Sequence, residues 1–147
     1  MKAPRRAAGL LTGLAAAFTL TVAGATPASA ATWTLEYNPE HPPQRLCAQP
    51  ERGWPRTFFL APVSGYWDTV ITTGVRNLPP GSYSNGGAIT PSDWDEDRQR
   101  YVGYVHVSIA PTPVGEYVAE LWADDGTETQ TMPVIISIKE DCLAPDD

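Results

Sequence analysis

The sequence predicts an all-β fold of two antiparallel sheets packed face to face. Three observations point there. The C-terminal half carries three runs in which apolar and polar residues alternate with the period of a half-buried strand. Of fifteen prolines, thirteen follow residue 30, and nearly all of these fall between the apolar runs. No segment shows a sustained helical period with caps. Seven or so short strands in roughly 110 residues leave no room for the crossover helices that a parallel sheet needs.

The first thirty residues have a different character. Lys2, Arg5 and Arg6 precede an apolar run from Ala7 to Ala25, and Ala28-Ser29-Ala30 brings small residues to the spacing of a cleavage site. This is the pattern of an export signal, and general secretion is the simpler route because the residues around Arg5-Arg6 match a twin-arginine signal poorly. Cleavage after Ala30 is expected, leaving residues 31–147 as a single secreted, extracellular domain. A retained anchor of about 20 residues is disfavoured, since the run is mostly Ala, Gly and Thr, so no stable membrane insertion is expected once the leader is gone. Its loss removes three of ten basic residues and none of seventeen acidic ones, for a net charge of minus ten. Such a surface repels a phosphate backbone and anionic lipid, which excludes a nucleic-acid partner.

Along the remaining chain, Thr34 to Tyr37 and Arg45 to Cys47 are short strand candidates separated by Pro39, Pro42 and Pro43. Thr57 to Ala61 is aromatic and apolar, and Trp67 to Val75 is longer and rich in β-branched residues. In that segment Trp67, Ile71 and Val75 are expected on one face, although Val70 breaks the alternation. Gly81 to Gly87 reads as a flexible turn between sheets or the rim of a binding surface. The firmest strands are the last three: Val105, Val107 and Ile109, alternating with His106 and Ser108; Tyr117, Ala119, Leu121 and Ala123, alternating with Glu116, Glu120 and Trp122; and Met132, Val134, Ile136 and Ile138, alternating with Thr131, Ser137 and Lys139, with Ile135 making that strand partly apolar on its second face. Asp124-Asp125-Gly126 between the last two is hairpin chemistry, because Asp and Gly tolerate left-handed backbone. Pro133 lacks an N–H, which places it at an edge, at a bulge or early in its strand.

Cys47 and Cys142 are the only cysteines. An exported chain meets oxidising conditions, so a disulfide is expected in preference to free thiols or a metal site.

Candidate functional residues are sparse, and no catalytic residue, metal ligand or cofactor motif stands out. His106 shares a strand face with Tyr104 and Ser108, but no partner that would make it a catalytic base is identifiable. Some pair of carboxylates at glycosidase separation is inevitable among seventeen acidic residues, so its presence argues nothing. Asp93, Asp95 and Asp97 are spaced by two, yet the glycine and distal glutamate of the helix-loop-helix calcium pattern are missing, and a solvated loop beside Arg98 and Arg100 is the preferred reading. The stronger lead is aromatic: Trp33, Trp54, Trp67, Trp94 and Trp122 in so short a chain. Trp67 reads as core. Trp54, Trp94 and Trp122, together with Tyr83 and Asn85 of the glycine-rich stretch, are the candidate ligand-binding residues, since exposed rings serve as platforms for a sugar face or a protein. The expected function is a non-catalytic binding or interaction module for an extracellular carbohydrate or protein. A small secreted hydrolase and an extracellular protease inhibitor are the alternatives.

Two resemblances add to this reading. Pro113-Val114-Gly115-Glu116-Tyr117-Val118-Ala119-Glu120-Leu121, followed by Asp124-Asp125-Gly126-Thr127 and an apolar strand, resembles the last hairpin of immunoglobulin-like or fibronectin-like modules. The resemblance implies an immunoglobulin-like β-sandwich with one disulfide, and a corner contact from the Tyr117 hydroxyl to nearby backbone. The strand of Tyr117 has no cysteine, so the bridge differs from that of antibody domains. The leader, Thr57-Phe58-Phe59-Leu60, the stretch from Thr72 to Gly81 and that from Val105 to Ala110 are similar to small secreted actinobacterial proteins of an uncharacterised family, which implies no activity.

Overall fold

The computed structural model describes residues 30–144; the expected leader lies outside them. Eight strands follow in order: β1 (Trp33–Leu35), β2 (Gln44–Ala48), β3 (Trp54–Gly65), β4 (Ile71–Arg76), β5 (Tyr83–Ile89), β6 (Arg100–Ile109), β7 (Gly115–Asp124) and β8 (Thr129–Ile138), with a short 3-10 turn at Pro91–Asp93 before β6. Alternation sets which side chains go inward. Phe59, Ala61 and Val63 of β3, Val105, Val107 and Ile109 of β6, Ala119, Leu121 and Ala123 of β7, and Met132, Val134, Ile136 and Ile138 of β8 all face one buried core. Burying these alternate residues removes their apolar surface from water, the main force holding the two layers together.

The strand order is β1-β3-β6-β5-β4-β7-β8-β2. β5 pairs through Tyr83, Ser84 and Gly86 with β6, then through Gly87, Ala88 and Ile89 with β4, so one strand carries the sheet around from the first layer to the second. The layers β1-β3-β6-β5 and β4-β7-β8 reproduce the ABED and CFG groups of an immunoglobulin constant-type domain. β2 adds to the second layer beside β8 and is the one parallel partner among otherwise antiparallel pairs.

Both buried tryptophans have their ring N–H satisfied, as burial requires. Trp33 donates to Asp125 Oδ2 at 2.7 Å, and Trp67 donates to the Thr90 carbonyl at 2.9 Å. Between β1 and β2 the chain crosses from one layer to the other, leaving ladder groups of β1 and β3 open at the edge of the first layer. Two glutamine side chains fill them. Gln44 donates to the Leu60 carbonyl and accepts from the Leu60 N–H, while Gln130 accepts from the Leu35 N–H and donates to the Trp33 carbonyl. Each amide replaces one step of a missing strand.

Cys47 and Cys142 form the disulfide, with Cα atoms 5.7 Å apart. It joins β2 to the segment following its neighbour β8. Tyr117 donates its hydroxyl to the Pro113 carbonyl at 2.9 Å, the corner contact expected from the hairpin resemblance. The β7–β8 turn also follows expectation: Gly126 has φ +89°, and Asp125 Oδ1 accepts from the N–H groups of Thr127 and Glu128.

Three sequence expectations need correction. The stretch Gly81 to Gly87 is no simple turn, because most of it lies in β5. Its glycines lower strand propensity, but a Cβ on Gly87 would stand 2.2 Å from the Tyr104 carbonyl oxygen, so the close approach to β6 requires a bare backbone there. Trp67 is core but precedes β4, which begins at Ile71. Finally, β3 runs well beyond Thr57–Ala61 in both directions. Pro133 lies just before β2 begins to pair at Val134, where β8 is still an open edge on that side.

Candidate functional site

Strand parity that buries Phe59 and Val105 turns Phe58, Leu60, Val102, Tyr104 and His106 outward on β3 and β6. Register places Phe58 opposite His106 and Leu60 opposite Tyr104. The Phe58 ring packs edge-on against Tyr104, with centroids 4.9 Å apart and planes at 80°, and reaches the His106 ring at 6.3 Å. Phe58 nevertheless keeps 43% of its surface exposed, Tyr104 54%, and Tyr83 on the adjoining β5 58%. Together these rings form an exposed aromatic surface on the sheet.

Two bulges shape one end of this face. On β3 the register shifts between Trp54 and Thr57, and on β5 it shifts between Ser84 and Gly86, where Gly86 takes φ +70°. A bulge adds a residue to one strand and re-aims side chains. Here both flank the same stretch of β6, and they bound a concavity of about 410 Å³ lined by Pro55, Arg56, Thr57, Phe58, Asn85, His106 and Val107.

The expected ligand-binding residues separate into distinct places. Tyr83 and Asn85 lie on this face. Trp54 begins β3 and lines a different concavity beside the Cys47–Cys142 bridge. Trp94 is half-buried against the core, donates to the Gly65 carbonyl at 3.0 Å and meets the Tyr66 ring edge-on. Trp122 is half-buried on the outer face of the other layer. It lies over Gly74, where an added Cβ would come within 2.5 Å of the ring. Sequence reasoning missed Phe58 as a surface ring and Arg56 as its neighbour. The available signal was the alternation Phe58/Phe59/Leu60, in which only one parity can be core.

The acidic loop has local uses for its carboxylates. Asp93 accepts from the Thr90 N–H and hydroxyl, and Asp95 accepts from the N–H groups of Asp97 and Arg98. Arg100 pairs with Glu36. Among the described residues, no three His, Cys, Asp or Glu side chains gather in a way that could hold a metal ion. His41 faces the Asn38 side-chain amide at 3.3 Å. Among the described residues no helix is long and apolar enough to cross a membrane.

Residues 34–140 match a family described as being of unknown function (DUF5980), and the chain belongs to that family. Among solved structures, the ASH / PapD-like domain 7 of human CEP192 is similar at 8% identity and a TM-score of 0.39, over 88% of this chain and 99% of that one. No curated protein matches the chain.

Proposed function

We propose that this member of the DUF5980 family is a non-catalytic interaction module, exported from the cytoplasm, that binds an extracellular protein through the outer face of β3, β6 and β5. The observation that carries the reading is the set of rings left exposed there: Phe58, Tyr104 and Tyr83, each more than two-fifths accessible, with Leu60 and Val102 beside them. Exposed aromatic clusters mark recognition surfaces, and rings locked by a sheet lose little entropy on binding. A protein suits this face better than a sugar. Phe58 and Tyr104 stand nearly perpendicular, so they offer an uneven relief in place of the coplanar platform on which a flat pyranose chain stacks. The opposite layer presents Val118, but its surface is crossed by the Arg45–Glu116 and Arg76–Glu120 ion pairs.

The test is affinity capture from culture supernatant and cell-wall extract with three forms of the protein. The Phe58→Ser/Tyr104→Ser double variant is expected to lose at least tenfold of any specifically retained protein while keeping its melting temperature within a few degrees. Val118→Ser, on the other layer, is expected to retain it. Equal capture by wild type and double variant refutes the assignment, and retention of polysaccharide alone would transfer it to a carbohydrate.

A further inference from the structure

We propose that the concavity between the two bulges binds a carboxylate of the partner protein, the C-terminal carboxylate of a chain that ends in an apolar residue. The inference rests on the reading of the β3-β6-β5 face as a protein-binding surface, and it names the chemistry that surface selects.

The first support is charge segregation. The chain has seventeen acidic residues, yet β3, β5 and β6 carry no Asp or Glu at all. The basic groups on the outer side of these strands are Arg56, Arg100 and His106, and Arg100 is already paired with Glu36. In a molecule of net negative charge, a face without carboxylates is one where an anion meets less repulsion.

The second is unused hydrogen-bonding capacity gathered in one place. Arg56, Asn85 and His106 all line the concavity. Among the described residues none of their side chains makes a hydrogen bond or an ion pair, in contrast to Arg45, Arg76 and Arg100. A guanidinium offers a carboxylate two parallel donors, and an amide N–H adds a third.

The third is how the cluster is held. The two bulges lie where Pro55-Arg56 and Asn85 reach the two rims of His106 and Val107, and Gly86 at φ +70° accommodates the second. Bulges leave residues without ladder partners, so they persist where the re-aimed side chain has a use. Phe58 provides an apolar wall for the group that bears the carboxylate. A bare anion would ignore that wall, whereas a carboxylate on a ring or alkyl body uses both parts of the site.

The experiment is a titration of the ¹⁵N-labelled protein, followed by amide chemical shifts, with three probes. N-acetyl-L-phenylalanine carries carboxylate and ring, N-acetyl-L-phenylalaninamide lacks only the charge, and glucuronate carries a carboxylate on a sugar. The first is expected to saturate at millimolar concentration with its largest shifts at Phe58, Asn85 and His106, and to bind at least fivefold more tightly than the amide. Arg56→Gln is expected to erase that difference without moving the melting temperature. Equal binding of acid and amide, shifts centred elsewhere, or an unaffected Arg56→Gln protein would overturn the proposal, as would glucuronate binding more tightly than the peptide probe. If these probes fail while capture still depends on Phe58 and Tyr104, the pocket chemistry falls alone. Failure of both removes the binding face itself.

Discussion

Replacing both cysteines by alanine tests how this small sandwich is held together. The Cys47–Cys142 bridge spans 95 positions in sequence, nearly the whole domain. On the chain-entropy account, closing a loop of about that size removes freedom worth about 4 to 5 kcal/mol from the unfolded ensemble. An unfolding entropy of about 2.1 cal/mol/K per residue, over roughly 115 ordered residues, converts that into a fall of about 20 °C in Tm. Differential scanning calorimetry of wild type and the Cys47→Ala/Cys142→Ala protein measures the fall directly. A urea series adds an independent sign: uncoupling the ends expands the denatured state, so m should rise in the variant. A Tm loss under about 5 °C with m unchanged would refute the entropic reasoning. The bridge would then act locally, pinning β2 beside β8, and amide exchange would show openings confined to Gln44–Ala48.

Two further predictions concern named side chains. Asp125 is held below the ordinary carboxylate range, chiefly because the Trp33 ring N–H donates to it, with backbone donation from Glu128 and Thr127 assisting and partial burial opposing. A depressed pKa contributes stability that is present above the unfolded-state value near 4 and is lost as pH falls through the folded value. Chemical denaturation between pH 6 and pH 2 should therefore show a shallower acid decline in Asp125→Asn than in wild type, and parallel declines would contradict the linkage. Trp94→Ala should lower stability by about 2 kcal/mol, the small end of large-to-small losses because the ring is only half-buried. Calorimetry checks this, and a loss below 0.5 kcal/mol, the ordinary scatter of surface substitutions, would return Trp94 to the set of free recognition residues.

Much of the fold was legible in the residue pattern because a strand has a period of two. Once Val105, Val107 and Ile109 are read as inward, His106 and Tyr104 must point out, and the structure places them so. The Tyr117 corner and the turn at Asp125 were legible for a related reason, since the hydrogen bonds that make them close within four residues. β5 was not, because its glycines favour turns, and only the approach of the Tyr104 carbonyl makes a bare backbone useful. Among the expected binding residues, Tyr83 and Asn85 reach the aromatic face. Trp94 and Trp122 were drawn into packing by Gly65 and Gly74, neighbours that no local pattern discloses.

The amino-acid order by itself determined the class of fold, the inward and outward parity of the long strands, the final hairpin and the single possible disulfide. Each depends on residues close in sequence or on a choice with one solution. Tertiary structure alone decided that β5 turns the sheet from one layer into the other, that Gln44 and Gln130 close the seam, and that Arg56, Asn85 and His106 border one concavity. Those arrangements join residues from 16 to 97 positions apart. Pairing register sets them, and register is the outcome of the whole core packing at once, which no single strand encodes.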